Sequence, residues 1–332
     1  MDIYVFLGNV TDIADLRAQV ARYEALGVTG VMASDHLFWP MGPERVRALR
    51  PYDPFVALSA LGGLSDKLAL GVLVANLGWV HPALVIRHFV QMAALFGGNR
   101  ILAGIGAGWS AEEFDALGLT MPSHKMRIDR LEEAARLARM LFDDGMATME
   151  GSHVVVRGLP ISPVPAVSPR LLLGGGSDRA LEIAGKYADY LDLNGSPRRM
   201  KIGAAQGPER DGVRRATTTI ADLEESIVRV RQTAVAAGRG ADAVKFSILV
   251  DTVVECAASE VEAKEAEVLS WRGMEPISLA RCPYILVGDM TQLSDLLQER
   301  GERLGLSAVV LRDGPHFERL CREMSRRCGS AR

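Results

Sequence analysis

The chain alternates strand-like and helix-like segments from end to end, and this restricts its fold more than any other feature. Apolar runs occur at Ile3–Gly8, Gly30–Ser34, Leu68–Ala75, Ile101–Ile105, Leu171–Gly174, Tyr190–Leu193, Val244–Val250 and Ala308–Leu311. Between them, apolar residues recur at helical spacing over Thr11–Leu26, Pro54–Leu64, Pro82–Phe96, His124–Phe142, Asp178–Tyr187, Ile220–Ala237, Ala257–Arg272, Thr291–Leu304 and Phe317–Arg327. Strands separated by helices predict a parallel sheet. Eight strands also close a (β/α)8 barrel, an α/β fold of the TIM type. At 332 residues the chain exceeds the ~250 typical of that barrel, so a single domain over 1–332 with insertions is expected. Ala147–Pro165 alternates and then turns proline-rich, which reads as a small hairpin. Ser196–Thr219 is rich in Gly and Arg without a clear period. It would lie on the barrel rim as a lid or as a solvated excursion.

Composition removes several function classes. With 48% hydrophobic residues the chain can bury a large core. It has no run of about 20 apolar residues that would span a membrane. A net charge of −3 argues against nucleic-acid binding, which favours a basic face. The N-terminus, MDIYVFLGN, is strand-like and lacks a basic signal region, which predicts a cytoplasmic protein. Cys256, Cys282, Cys321 and Cys328 form no Cys-x-x-Cys pair and read as free thiols. The histidines lack metal-ligand spacing, so no metal is expected.

Two segments share one pattern, an apolar run that ends in glycines and restarts as a helix. They are ILAGIGAGWSAEEF (Ile101–Phe114) and LLLGGGSDRALEIAG (Leu171–Gly185). Such a turn leaves backbone N–H groups pointing at whatever sits there, which is how proteins hold phosphate. Two of them predict a phosphorylated cofactor gripped from two sides. An open dinucleotide-binding sheet would instead carry G-x-G-x-x-G after its first strand. Here the first strand ends in FLGNVTD, with one glycine.

The second strand runs into SDHLFWP, Ser34–Pro40. His36 is the only histidine at a predicted strand C-terminus, where barrel enzymes place catalytic groups. Asp35 reads either as its functional neighbour or as a turn cap. Trp39, Trp79 and Trp109 follow the second, third and fourth strands. They would shape a site for a flat or apolar ligand, or plug the barrel mouth.

Together these pieces carry a resemblance. SDHLFWP, the run LALGVLVANLGWVHPALVIRHFVQMAALFGGNRILAGIGAGWSAEEF, PRLLLGGGSDRALEIAGKYADYLDLNG and PYILVGDMTQLSDLLQERGERLGLSAVVL resemble the luciferase-like monooxygenase superfamily, in its branch of flavin- and deazaflavin-dependent oxidoreductases. The resemblance implies a TIM-type barrel that binds coenzyme F420, or alternatively FMN, at its C-terminal rim. It implies catalytic roles for His36 and Trp39. It places cofactor contacts at Asp35, at Asn76, at Gly106, Ala107, Gly108 and Trp109, and at Gly174, Gly175, Gly176 and Ser177. It further implies a non-proline cis peptide in the third strand, by position Gly71–Val72, behind the ring. Related sugar-phosphate dehydrogenases carry a catalytic glutamate directly after the fourth-strand glycines. Trp109 stands there, so the acid–base pair reads as incomplete and a larger, less polar organic substrate is expected. Arg198, Arg199 and Lys201 are candidates to meet the oligoglutamate tail of the deazaflavin.

The implied activity is F420-dependent hydride transfer between the reduced deazaflavin and a C=C or C=N bond, with His36 handling the proton. The alternative is a two-component monooxygenase using reduced FMN and O2. A barrel that has lost its cofactor is disfavoured by the glycines retained at both turns. The resemblance also implies a homodimer and a separate reductase that supplies reduced cofactor.

Overall fold

The computed structural model describes residues 1–41, 46–49, 52–195, 208–272, 274 and 279–330. Eight strands form the centre: β1 (Asp2–Phe6), β2 (Gly30–Ala33), β3 (Ala69–Val72), β4 (Ile101–Gly106), β5 (Arg170–Gly175), β6 (Tyr190–Leu193), β7 (Lys245–Val250) and β8 (Ala308–Arg312). Each pairs in parallel with the next, and β8 returns to β1, so the barrel is closed. Closure removes every sheet edge.

Side-chain alternation divides each strand between two cores. Tyr4, Phe6, Met32, Leu102, Leu172, Tyr190, Leu249 and Val310 point into the barrel and pack together. Their neighbours Val5, Val31, Leu70, Ile101, Leu173, Leu191, Ile248 and Val309 point out, into the layer shared with the helices. Both faces are buried, which explains why the strands read as continuous apolar runs.

Eight helices surround the barrel: α1 (Ile13–Ala25), α2 (Pro54–Leu64), α3 (Pro82–Phe96), α4 (His124–Asp144), α5 (Asp178–Tyr187), α6 (Ile220–Ala236), α7 (Met290–Leu304) and α8 (Phe317–Ser330). Their starts are written locally. Side chains of Asp12, Asp53, Ser123, Ser177, Thr219 and Asp289 accept the first orphan N–H groups, as N-caps do. Gly145 and Gly305 end α4 and α7 in the left-handed conformation.

Further elements decorate this frame. Met146–Glu150 and Val155–Pro160 pair antiparallel before β5. Phe38–Met41 and Val46–Leu49 form a second hairpin after β2, where the sequence showed only a loop. After β7, Thr252–Glu255 pairs in parallel with Ile285–Gly288, a pair the sequence did not announce. The irregular rim stretch expected over Ser196–Thr219 is helical from Pro208 to Thr217. Arg198, Arg199 and Lys201 lie outside the described residues.

The third strand requires a correction. The sequence places it over Leu68–Ala75 with a cis peptide at Gly71–Val72. The regular ladder with β2 instead runs through Gly71 and Val72, and the non-proline cis peptide lies between Leu73 and Val74. Gly71 belongs to the interior: a Cβ there would come within 2.4 Å of Met32 Sδ. Beyond the cis peptide, Ala75–Asn76 pairs with the end of β4.

Candidate active site

The C-terminal ends of the strands open into a cavity of about 410 Å³. Asp35, His36, Asn76, Gly106, Ala107, Gly108, Trp109, Gly174, Gly175, Gly176 and Ser177 all line it. The structure thus brings together most of the residues that the sequence singled out. Gly71 and Val72 do not line it; Leu73 and Val74 take that place. Trp39 is on the strand Phe38–Met41, but its side chain lies outside the described residues. Trp79 packs against Phe114, with ring centroids 5.7 Å apart. Trp109 sits edge-on to His36 at 5.4 Å.

The carboxylate that seemed to be missing comes from one helical turn further on. Glu113 lies on the short helix Ala111–Ala116 and is 0% exposed. Its Oε2 is 2.9 Å from His36 Nδ1, and its Oε1 accepts from the Leu37 N–H at 2.6 Å. A carboxylate thus contacts His36 although Trp109 holds the position directly after the glycines. A carboxylate only accepts, so Nδ1 carries the proton toward Glu113. Nε2 is the other ring nitrogen, the second position at which an imidazole exchanges a proton. Asp35, beside His36, accepts from the Asn76 N–H at 2.8 Å. Burial pushes its carboxyl up to about 6, against the pull of that N–H.

The floor is formed by Leu73 and Val74, and the walls beside it must lack side chains. A Cβ on Gly106 would approach Val74 Cγ2 to 2.4 Å. Gly108 has φ +73°, and a Cβ there would meet Asn76 Oδ1 at 2.3 Å. The glycines of the first turn thus let β4 pass the floor and the Asn76 side chain.

Next to this turn stands Arg127 of α4. It donates to the Gly108 carbonyl through a terminal nitrogen, while its buried Nε has no hydrogen-bond partner. Among the described residues no carboxylate pairs with it, and burial holds its guanidinium below the usual value. The N-terminus of α5, capped by Ser177, also opens onto the cavity. An unsatisfied guanidinium N–H and a helix N-terminus lining the same cavity fit an anionic group such as phosphate.

The opposite wall is charged, contrary to the apolar pocket expected from the tryptophans. Asp192 of β6, Asp251 after β7, Arg215 of the helix Pro208–Thr217 and Arg312 of β8 all line it. Burial pushes the Asp251 carboxyl up, but Arg215, Arg312 and Arg272 outweigh it and hold it at about 2. Burial pushes Asp192 up to about 7, against Arg215 and the Ser247 hydroxyl.

A profile described as luciferase-like monooxygenase matches residues 2–305. The chain belongs to this family. Over 243 residues it is 28% identical to an F420-dependent hydroxymycolic acid dehydrogenase of Mycobacterium tuberculosis, covering 71% of this chain and 64% of the relative. Over 141 residues it is 27% identical to the pyrimidine monooxygenase RutA of Stutzerimonas stutzeri, covering 42% of this chain and 38% of the relative. The match thus spans under two thirds of either relative's length. Among solved structures, an F420-dependent secondary alcohol dehydrogenase in complex with an F420-acetone adduct superposes with a TM-score of 0.72 at 18% identity, covering 96% of both chains. That likeness establishes the shared fold.

Within this luciferase-like barrel, strand-end position was enough to find Asp35 and His36. It did not find Glu113, which reaches the site from a helix, although Glu113 directly precedes the buried Phe114. It also missed Arg127, which reads as one basic residue among several on an amphipathic helix. The charged far wall escaped because Asp192 sits within an apolar strand and Arg215 within a segment lacking period.

Proposed function

We propose that the protein is an F420-dependent oxidoreductase that transfers hydride between the reduced deazaflavin and a C=C or C=N bond of an organic substrate. The observation that carries this reading is the contact of buried Glu113 with His36, which lines the same cavity as the two glycine turns. Adding hydride to a double bond leaves a negative centre, which needs a proton from a group held in place. Glu113 fixes the imidazole and its tautomer, and His36 Nε2 delivers the proton; in the reverse direction it removes one. When bound, the reduced deazaflavin supplies the hydride. Leu73 and Val74 would back its ring, Arg127 and the turns at Gly108 and Gly175–Gly176 would hold its phosphate, and Trp109 would close the substrate side beside His36. The F420-dependent relative supports the choice of deazaflavin. The same reading has a separate reductase supplying reduced cofactor. It also has the molecule acting as a homodimer, a state supported by the exposed apolar Val56 (61%) and Leu95 (72%) on α2 and α3.

The test is titration of the purified protein with F420 and with FMN, followed by ligand fluorescence. Tight F420 binding is the expected result. Binding of FMN alone, with oxygen consumed when reduced FMN is supplied, would replace this reading with the two-component monooxygenase. His36→Ala should then lower turnover by the ~10²–10⁴-fold that proton transfer contributes and leave cofactor affinity nearly unchanged. Unaltered turnover removes His36 from the mechanism.

A further inference from the structure

The chemistry above uses neither carboxyl of the charged wall. Asp251 is fully engaged, with Arg272 at 2.7 Å and Arg312 at 3.4 Å. Asp192 is different. It lines the cavity at 4% exposure, and its Oδ1 accepts from the Ser247 hydroxyl at 2.9 Å. Among the described residues the side-chain hydrogen bond to this carboxyl is the one from Ser247 to Oδ1, and none reaches Oδ2. Asp192 thus offers a carboxyl oxygen on the cavity wall to a ligand that supplies a donor, and a ligand group with such a donor is best satisfied there.

The position of Asp192 in the barrel narrows what that ligand is. It pairs in register with Gly174 of β5 and Ser247 of β7, and it points inward because Leu191 and Leu193 point out. A Cβ on Gly174 would lie 3.3 Å from Val74 Cγ1. Asp192 therefore stands one strand spacing, about 4.8 Å, from the glycine that flanks the Leu73–Val74 floor. Flavins and deazaflavins alike carry an imide at one edge of the ring, an N–H between two carbonyls. A carboxylate complements that N–H. The Arg215 guanidinium, whose charge acts on Asp192 and which lines the same wall, complements a neighbouring carbonyl.

We propose that Asp192 accepts a hydrogen bond from the imide N–H of the cofactor ring. This rests on the reading that the cavity holds such a ring, and it applies to either cofactor. A substrate N–H or O–H presents the same chemistry, and methylation of the ring tells the two apart. The groups facing Asp192 are Ser247 from β7, Arg215 from the rim helix and Tyr284, whose hydroxyl donates to the Leu193 carbonyl. Because the carboxyl ionises near neutrality, it becomes a stronger acceptor as the pH rises.

The experiment uses FMN and 8-hydroxy-5-deazariboflavin, each beside its 3-methyl derivative, titrated without substrate into wild type and two variants. Wild type should bind each parent ring about tenfold or more tightly than its methylated form, the strength of a hydrogen bond to a charged group. Asp192→Ala removes the acceptor and leaves room for the methyl, so it should bind both forms alike. Asp192→Asn should lose the rise in parent affinity that wild type shows from about pH 6 to pH 8. An undiminished methyl penalty in Asp192→Ala overturns the proposal. So does a wild-type pH response retained in Asp192→Asn, which decides the matter if the alanine variant does not fold. Failure of wild type to bind any of these rings overturns the cofactor reading itself, and this one with it.

Discussion

At the scale of single residues, the site separates side chains that announce themselves from side chains that do not. His36 announces itself because a titratable group directly after a buried strand has few structural reasons to be there. Glu113 and Arg127 do not, since a carboxylate or a guanidinium on a helix is ordinary until its neighbours are known. The two are distinguished by burial and by partners. Glu113 has both oxygens satisfied, by His36 and by the Leu37 N–H, and in the proposed function it orients. Among the described residues Arg127 has a buried Nε with no acceptor, and in the proposed function it binds. Arg127→Ala should therefore act on the phosphate alone. Wild type should favour FMN over riboflavin by about tenfold or more, as expected for a charge-assisted contact. In the variant the two affinities should converge, with riboflavin binding little changed, as read by fluorescence quenching. Equal losses for both ligands would mean that Arg127 shapes the cavity and does not contact phosphate.

At the scale of elements, strand order and the glycine turns were legible because each rests on local chemistry. Apolar runs, capping residues and glycine clusters are visible without any tertiary contact. The end of β3 was not legible, since Leu70–Val74 is apolar apart from Gly71 and has no period to mark where pairing stops. What sets the limit is the partner strand: Ala33 is the last residue of β2, and Val72 pairs with it. The two additional strand pairs were hidden for the same reason, being short and defined only by what they pair with. The close approach of β4 to the floor is testable. Gly106→Ala would drive a methyl into Val74 Cγ2, and overpacking of this kind costs about 1–3 kcal/mol. The expected result is a lower denaturation midpoint together with weaker cofactor binding, because the displaced group is the floor itself. A variant that binds cofactor normally would show that Val74 does not support the ring.

At the scale of the whole molecule, the closed barrel forces a compromise that the pH dependence of stability should expose. Inward positions of a barrel are buried whatever residue they carry, and β6 places Asp192 at one of them. Its carboxyl is raised by burial from 3.8 to about 7 in the folded state. Between about pH 4 and pH 7 the native protein keeps a proton that the unfolded chain has released. Native protein thus binds more protons than unfolded, and stability falls as pH rises through that window. Asp35, raised to about 6, acts in the same direction over a lower range. Asp192→Asn removes the first contribution and leaves the second. The difference in melting temperature, variant minus wild type, should therefore climb from pH 5 to pH 8 and flatten above. A single site moves the melting temperature of a barrel this large by only a few degrees, since each kcal/mol is spread over a large unfolding entropy. Taking the difference at each pH removes any constant effect of the substitution, so only the slope matters. A difference independent of pH would mean that Asp192 is ionised in the folded protein throughout, stabilised by Arg215 more strongly than burial opposes it.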